Sequence, residues 1–113
     1  MAVFCEKDCR KVKIMGTRAT IKFSAPRSKD VYIYRGHDGY PENVLDDLNR
    51  VIEKSKGRWS GSEIGQLVSM FLGETYREKK RICDYEITSD FHGDEAYKYF
   101  VTYENDEWSV SNR

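Results

Sequence analysis

The sequence predicts an α+β domain, in which an antiparallel sheet of about five strands carries two helices packed on one face. Two segments with strand-like alternation come first, two segments with helical periodicity follow, and strand-like segments return in the C-terminal third. The predicted order is therefore β-β-α-α-β-β-β. The chain has 113 residues, which suits a single domain. Because residues 1–16 are basic and poorly patterned, the domain is expected to span residues 17–113.

The first two strands are predicted over residues 17–24 and 31–35. In the first, apolar and polar side chains alternate, which is typical of a half-buried strand. Its apolar positions are Ala19, Ile21 and Phe23. A polar loop containing a proline separates the two segments, so we expect them to form a hairpin.

The first helix is predicted to begin at Pro41 and to end at Gly57. Proline suits the first turn of a helix, where its missing N–H has no intrahelical partner to lose. Apolar residues then recur at helical spacing and form one stripe that would face the sheet. These residues are Val44, Leu45, Leu48, Val51 and Ile52.

The second helix is predicted to begin after Ser60, which forms a capping-box pattern with Glu63, and to end at Gly73. Its buried stripe would consist of Ile64, Leu67, Val68, Phe71 and Leu72. Small residues also recur every four positions and form a ridge, at Gly61, Gly65, Ser69 and Gly73. Glycine inside a helix costs about 1 kcal/mol relative to alanine. Tight packing of the ridge on the first helix, or a contact between subunits, would offset that cost.

Three strands are predicted in the C-terminal third, over residues 83–88, 97–103 and 108–110. The segment "SDFHGDE" between the first two has turn-forming residues, and "ENDE" predicts a tight turn before the last. Tyrosines occur on both faces of the predicted sheet. We therefore expect a ligand or a partner to cover part of the second face, which is the face without helices.

The composition excludes some classes of function. Basic and acidic side chains are equal in number at 19 each, which makes a duplex-DNA binder unlikely by comparison with the basic excess of that class. No apolar run is long enough to span a membrane, and the N-terminus lacks a signal-peptide pattern, so a cytoplasmic protein is expected. The three cysteines, Cys5, Cys9 and Cys83, are expected to be free thiols.

The sequence offers little catalytic machinery. It has two histidines, His37 and His92, each beside a glycine in a predicted turn. It contains no nucleophile elbow, no phosphate-binding loop and no dinucleotide fingerprint. Cys5 and Cys9 are spaced like one half of a zinc site, but no second pair exists. We therefore expect a protein that is not an enzyme, with no metal and no cofactor.

The first candidate binding segment is Arg58, Trp59 and Ser60, at the predicted start of the second helix. Free backbone N–H groups and the helix dipole attract anions there, and an arginine can make a forked contact to phosphate. The indole ring can stack on a base. The alternative is structural: Trp59 would pack as a hydrophobic staple of the helix.

The second candidate segment, "YRGHDGYP", lies where the second strand gives way to the first helix, and contains Arg35, His37, Asp38 and Tyr40. Arg35 would bind phosphate, Tyr40 would stack on a base, and His37 and Asp38 would make polar contacts. Alternatively, Asp38 only forms the turn, and Arg35 forms an ion pair with Asp38 or Asp46.

The segment from Tyr34 to Pro41, followed by a helix and by "GRWSGSEIGQLVSMFL", resembles a group of small phage and prophage proteins. The group is marked by a Tyr-Arg-x-x-Asp-Gly-Tyr-Pro segment and a glycine-containing second helix. The chain departs from it at Gly36 and His37, where the group has a histidine-tryptophan pair. The resemblance implies a phage origin, and small phage proteins without catalytic machinery often antagonise a host defence.

Two functions follow as expectations. In the first, the protein binds and sequesters a phosphorylated, nucleotide-like signalling molecule, like the sponges among Thoeris anti-defence proteins. In the second, it inhibits a host defence complex by binding a host protein, like many anti-CRISPR proteins. In both cases we expect a homo-oligomer that self-associates through the small-residue ridge and exposed strand edges.

Overall fold

A computed structural model describes residues 17–56, 63–79 and 85–112. These residues form five strands and two helices in the predicted order, so the predicted α+β class is confirmed. The elements are β1 (Ala19–Ser24), β2 (Val31–Arg35), α1 (Pro41–Ser55), α2 (Ile64–Lys79), β3 (Tyr85–Thr88), β4 (Tyr97–Glu104) and β5 (Glu107–Asn112).

The strands form one sheet in the order β3-β2-β1-β4-β5. The β1–β2, β2–β3 and β4–β5 pairs are antiparallel, and the first of them is the predicted hairpin. The β1–β4 pair is parallel, so the sheet is mixed rather than fully antiparallel as predicted. β4 lies far from β1 in the sequence, and no hairpin turn connects the two strands. Their relative direction therefore cannot be predicted from a turn.

The connection between β3 and β4 determines what lies on the second face. β3 and β4 run in the same direction and are separated in the sheet by β2 and β1. The chain must therefore return along the strands and cross two of them within residues 89–96. Since an extended chain covers about 3.3 Å per residue, residues 89–96 are long enough to make this crossing and still bend at Ser89, Asp90, Gly93 and Ala96. The connection lies diagonally across the second face, and we call residues 89–96 the crossover segment.

The hydrophobic core lies between the helices and the first face of the sheet. Ala19, Ile21 and Phe23 of β1 are fully buried, as their alternation predicted. Phe71 of α2 contacts Phe23 and Tyr85 edge to face, with ring centroids 5.9 Å and 4.8 Å apart. The other buried apolar residues of this core are Ile33, Val44, Leu48, Val51, Ile64, Leu67, Val68, Tyr99 and Val101.

The boundaries of the helices differ in part from the prediction. α1 begins at Pro41 as predicted. α2 begins at Ile64, and Glu63 precedes it and accepts the first hydrogen bond through its carbonyl. The predicted end at Gly73 is wrong, since α2 continues to Lys79. Thr75 is buried in that last part of the helix, so the buried face of α2 extends beyond Gly73.

The described part of the ridge of small residues does not pack against α1. Gly65, Ser69 and Gly73 are exposed. A Cβ atom added at Gly65 or Gly73 would have no neighbouring atom within 4 Å. Tight helix packing at these glycines is therefore the wrong explanation, and Gly61 lies outside the described residues.

The tight turn before the last strand is confirmed. Asn105 and Asp106 connect β4 to β5, and both have a positive φ, at 52° and 63°. Two successive residues of this kind form a type I′ turn, whose twist matches that of a hairpin. β5 continues to Asn112 and is longer than predicted.

Within the described ranges, no helix has the length and apolar character needed to cross a membrane.

Candidate functional site

The segment between β2 and α1 forms a rigid corner. Asp38 has a φ of 51° and makes the turn, with its carbonyl accepting a hydrogen bond from the Asn43 side chain at 3.1 Å. The Gly39 amide donates to the Thr17 carbonyl at 2.9 Å, and the Tyr99 hydroxyl donates to the Gly39 carbonyl at 2.7 Å. The chain is therefore fixed on both sides of the turn before α1 begins.

Arg35 lies inside the protein. Its Nε donates to the His37 carbonyl at 2.7 Å, and its Nη1 donates to the Tyr85 hydroxyl at 2.8 Å and lies 3.5 Å from Oδ2 of Asp47. The Tyr85 hydroxyl donates to the same Asp47 oxygen at 2.9 Å. Arg50 donates to Oδ1 of Asp47 at 2.8 Å. The alternative of an ion pair for Arg35 is thus realised, but with Asp47 instead of Asp38 or Asp46.

The four candidate residues of the corner separate into two groups. Arg35 and His37 are buried. Asp38 is exposed, and Tyr40 is 41% exposed, with its ring edge-on to Tyr97 at a centroid distance of 6.2 Å. In this arrangement only Asp38 and Tyr40 present side chains that a bound molecule can reach.

The other candidate residues, Arg58, Trp59 and Ser60, lie outside the described residues, as do Cys5, Cys9 and Cys83. In the sequence, α1 lies between the corner and Arg58. The helix has 15 residues and is therefore about 22 Å long.

A small cleft lies between α1 and α2, beside the buried Asp47. Its lining includes Asp47, Arg50, Lys54 and Glu74, and Lys54 forms a salt bridge with Glu74 at 2.8 Å. Acidic and basic side chains are balanced in this lining, so the cleft offers no clear attraction to a phosphate.

The second face of the sheet carries a cluster of aromatic and basic side chains. Lys22 of β1 is paired with Tyr32 of β2 on one side and with Phe100 of β4 on the other, so the three lie in one row across the sheet. Phe91 of the crossover segment contacts both rings, with centroids 5.2 Å from Tyr32 and 5.8 Å from Phe100. The Lys98 Nζ lies 4.9 Å from the centroid of Phe91.

We call these five residues the aromatic–lysine surface. The three rings are half-buried, and Lys98 is exposed. The Lys22 Nζ lies 3.5 Å from Asp30 and 6.0 Å from the centroid of Tyr32. Flat rings with adjacent ammonium groups form the type of surface on which bases stack and phosphates are neutralised.

The crossover segment is held on the sheet at its C-terminal part. The His92 ring stacks on Tyr34 with a centroid distance of 3.6 Å, and the Tyr34 hydroxyl donates to Asp94 at 3.4 Å. Burial, and then the nearby Asp94 charge, raises the pKa of Tyr34. The Glu95 carboxylate accepts hydrogen bonds from the Thr20 hydroxyl and from the backbone amides of His92 at 2.9 Å and Gly93 at 2.7 Å.

These contacts predict that Glu95 stabilises the fold in a pH-dependent way. Partial burial opposes its ionisation, but the hydrogen bonds from Thr20 and from the His92 and Gly93 amides outweigh this and lower the pKa of Glu95. A lowered pKa in the folded state gives stability that is present above the unfolded-state pKa and is lost as the pH falls through the folded-state pKa. We expect Glu95→Gln to lower the urea midpoint of unfolding at neutral pH. In acid, the midpoints of the variant and of the wild type should converge. A difference that does not change with pH would contradict the role of the charge.

The sequence did not predict what covers the second face. The tyrosines suggested a ligand or a partner, and the structure places the protein's own crossover segment over part of this face. Tyr32 and Phe100 could have been assigned to this face from strand alternation. Phe91 could not, because it lies in a connection without periodicity and its position depends on the order of the strands.

Among the residues that the structure describes, no group of three or more His, Cys, Asp or Glu side chains is placed to hold a metal ion. Comparisons with protein-family models, with curated proteins and with solved structures give no match to this chain.

Proposed function

We propose that the protein is a non-enzymatic, phage-type counter-defence protein that binds and sequesters a phosphorylated, nucleotide-like signalling molecule. The observation that supports this proposal is the aromatic–lysine surface, in which Lys22 lies between Tyr32 and Phe100 on adjacent strands. The counter-defence role rests on the resemblance of the segment from Tyr34 to Pro41 to phage proteins.

The spacing of the surface suits a nucleotide. Neighbouring strands lie about 4.8 Å apart, so the backbone positions of Tyr32 and Phe100 are about 10 Å apart with Lys22 midway. A base stacked on either ring would have its phosphate within reach of the central ammonium group. Stacking contributes about 1–3 kcal/mol per base and tolerates different bases. A phosphate would also compete with Asp30 for Lys22.

The predicted site residues have different parts in this proposal. Arg35 and His37 hold the corner from inside, while Asp38 and Tyr40 are exposed and remain candidate contacts. The segment that contains Arg58, Trp59 and Ser60 follows α1 in the sequence, and these residues remain candidate contacts as well.

We expect Phe100→Ala to weaken nucleotide binding by about 1–3 kcal/mol, because it removes one stacking ring. The matched control is Tyr103→Ala, which removes a half-exposed ring from the same strand but from the opposite face, where it contacts Trp108. Binding is measured by calorimetry with nucleotide second messengers. Equal losses for the two variants would argue against stacking on the second face.

Sequestration itself is tested by a trap-and-release assay. The protein is mixed with a panel of nucleotide second messengers, washed and heat-denatured, and the supernatant is analysed by mass spectrometry. An intact messenger in stoichiometric amount would support sequestration, and an altered product would identify an enzyme instead.

The alternative is an inhibitor that binds a host protein. It is favoured by large apolar side chains at the surface, since Ile87 is 65% exposed and Tyr76 is 50% exposed. An empty supernatant across the panel, together with a host protein that the wild type captures and an Ile87→Lys variant does not, would favour this alternative.

A further inference from the structure

β5 is an edge strand of the sheet in the described part of the chain. β4 pairs with one edge of β5, and no described strand pairs with the other. The pair of Glu104 and Glu107 closes the two-residue turn and exchanges hydrogen bonds, as the closing pair of such a hairpin does. Along an antiparallel ladder, hydrogen-bonded pairs alternate with pairs that exchange no hydrogen bonds. Ser109 and Ser111 therefore direct their backbone groups towards β4.

The other residues of β5 direct their backbone N–H and C=O groups away from β4, towards the outer edge of the described sheet. These residues are Trp108, Val110 and Asn112. Natural sheets usually protect such an edge with proline, with lysine or with a very short strand. β5 has six residues, contains neither proline nor lysine, and has its single charged residue, Glu107, beside the turn. At the opposite edge of the described sheet, β3 has four residues.

We propose that a second copy of this chain pairs with β5 in the antiparallel direction, with a two-fold axis at Val110. In this register Val110 lies opposite its own copy, and Trp108 lies opposite Asn112 of the second copy. The register pairs all three residues whose backbone groups point outwards. Moving the axis by one residue, to Ser109 or Ser111, leaves one of the three opposite a position outside the strand.

The side chains are compatible with this pairing. Ser109 of one copy lies opposite Ser111 of the other, and no like charges meet within the paired strands. Because the axis is perpendicular to the sheet, both helix layers lie on one side. The two aromatic–lysine surfaces then lie together on the other side. The inference does not depend on what those surfaces bind.

The test uses full-length protein and places charges at two exposed positions of β5. In Ser109→Lys/Ser111→Glu, each introduced lysine would face an introduced glutamate of the second copy. In Ser109→Lys/Ser111→Lys, each would face another lysine. The two variants share the first substitution and differ only in the sign of the second charge. Mass in solution is measured by sedimentation equilibrium, with circular dichroism to verify folding.

We expect the wild type and the lysine–glutamate variant to have twice the mass of one chain, and the double-lysine variant to have the mass of one chain. A double-lysine variant that remains a dimer would place the interface elsewhere and overturn the inference. A monomeric wild type at all concentrations would overturn it as well.

Discussion

Asp47→Ala should lower the free energy of unfolding by about 3–5 kcal/mol, the range found when one partner of a buried ion pair is removed. Asp47 is 1% exposed and accepts hydrogen bonds from Tyr85 and Arg50 while lying beside Arg35. The Arg35 side chain is 5% exposed, so its charge would stay buried after the carboxylate is removed. The measurement is a urea titration followed by circular dichroism.

The neighbouring Asp46 provides the control. Its side chain is 63% exposed, and it lies 3.3 Å from Arg50 one helical turn along α1. Exposed pairs of this kind contribute about 0.3–0.5 kcal/mol, so Asp46→Ala should have almost no effect on the urea midpoint. Similar decreases in the free energy of unfolding for Asp46→Ala and Asp47→Ala would contradict the prediction. They would show that the buried Asp47–Arg35 pair stabilises the fold no more than the exposed pair.

The buried ion pair with Asp47 affects how Arg35 variants are interpreted. Arg35 is a predicted phosphate ligand, and Arg35→Ala would also remove one of the partners of Asp47 from the interior. A loss of ligand binding in that variant would therefore not identify a ligand contact unless the protein remains folded. Substitutions of the aromatic–lysine surface avoid this ambiguity, since Lys98 is exposed and Tyr32, Phe91 and Phe100 are half-exposed.

The elements of the fold were accessible from the sequence because their signals are local. The alternation of Ala19, Ile21 and Phe23 and the helical stripe that contains Val44, Leu48 and Val51 each depend on a few consecutive residues. The parallel β1–β4 pair was not accessible, since nothing local in either strand specifies a partner so distant in the chain. The crossover segment follows from that pairing, and the position of Phe91 follows from the segment.

The partner of Arg35 was missed although a signal for it exists. The expected partners of Arg35 were Asp38 and Asp46. Asp47 follows Val44 by three residues and precedes Val51 by four, so helical periodicity places it on the buried face. A carboxylate in the apolar stripe of a helix requires a buried donor. Arg35, at the end of the adjacent strand, satisfies that requirement.

Gly39→Ala is the second substitution with a large expected effect, because the corner leaves no space for a side chain. A Cβ atom at Gly39 would lie 2.6 Å from the Cβ of Ala19, and 3.1 Å from both the Ala19 nitrogen and the Thr17 carbonyl oxygen. The hydrogen bonds of Gly39 to Thr17 and Tyr99 prevent an easy displacement. Overpacking of this kind costs roughly 1–3 kcal/mol, measured as a lower urea midpoint.

Gly65→Ala should have the opposite effect. The added Cβ atom at Gly65 meets nothing within 4 Å, and alanine is favoured over glycine inside a helix by about 1 kcal/mol. The same chemical change thus destabilises the corner and stabilises α2. Ala19→Gly in the Gly39→Ala background should recover part of the lost stability, because it removes the atom closest to the new side chain. If it recovers none, the cost arises from the backbone atoms of Thr17 and Ala19 rather than from the Ala19 side chain.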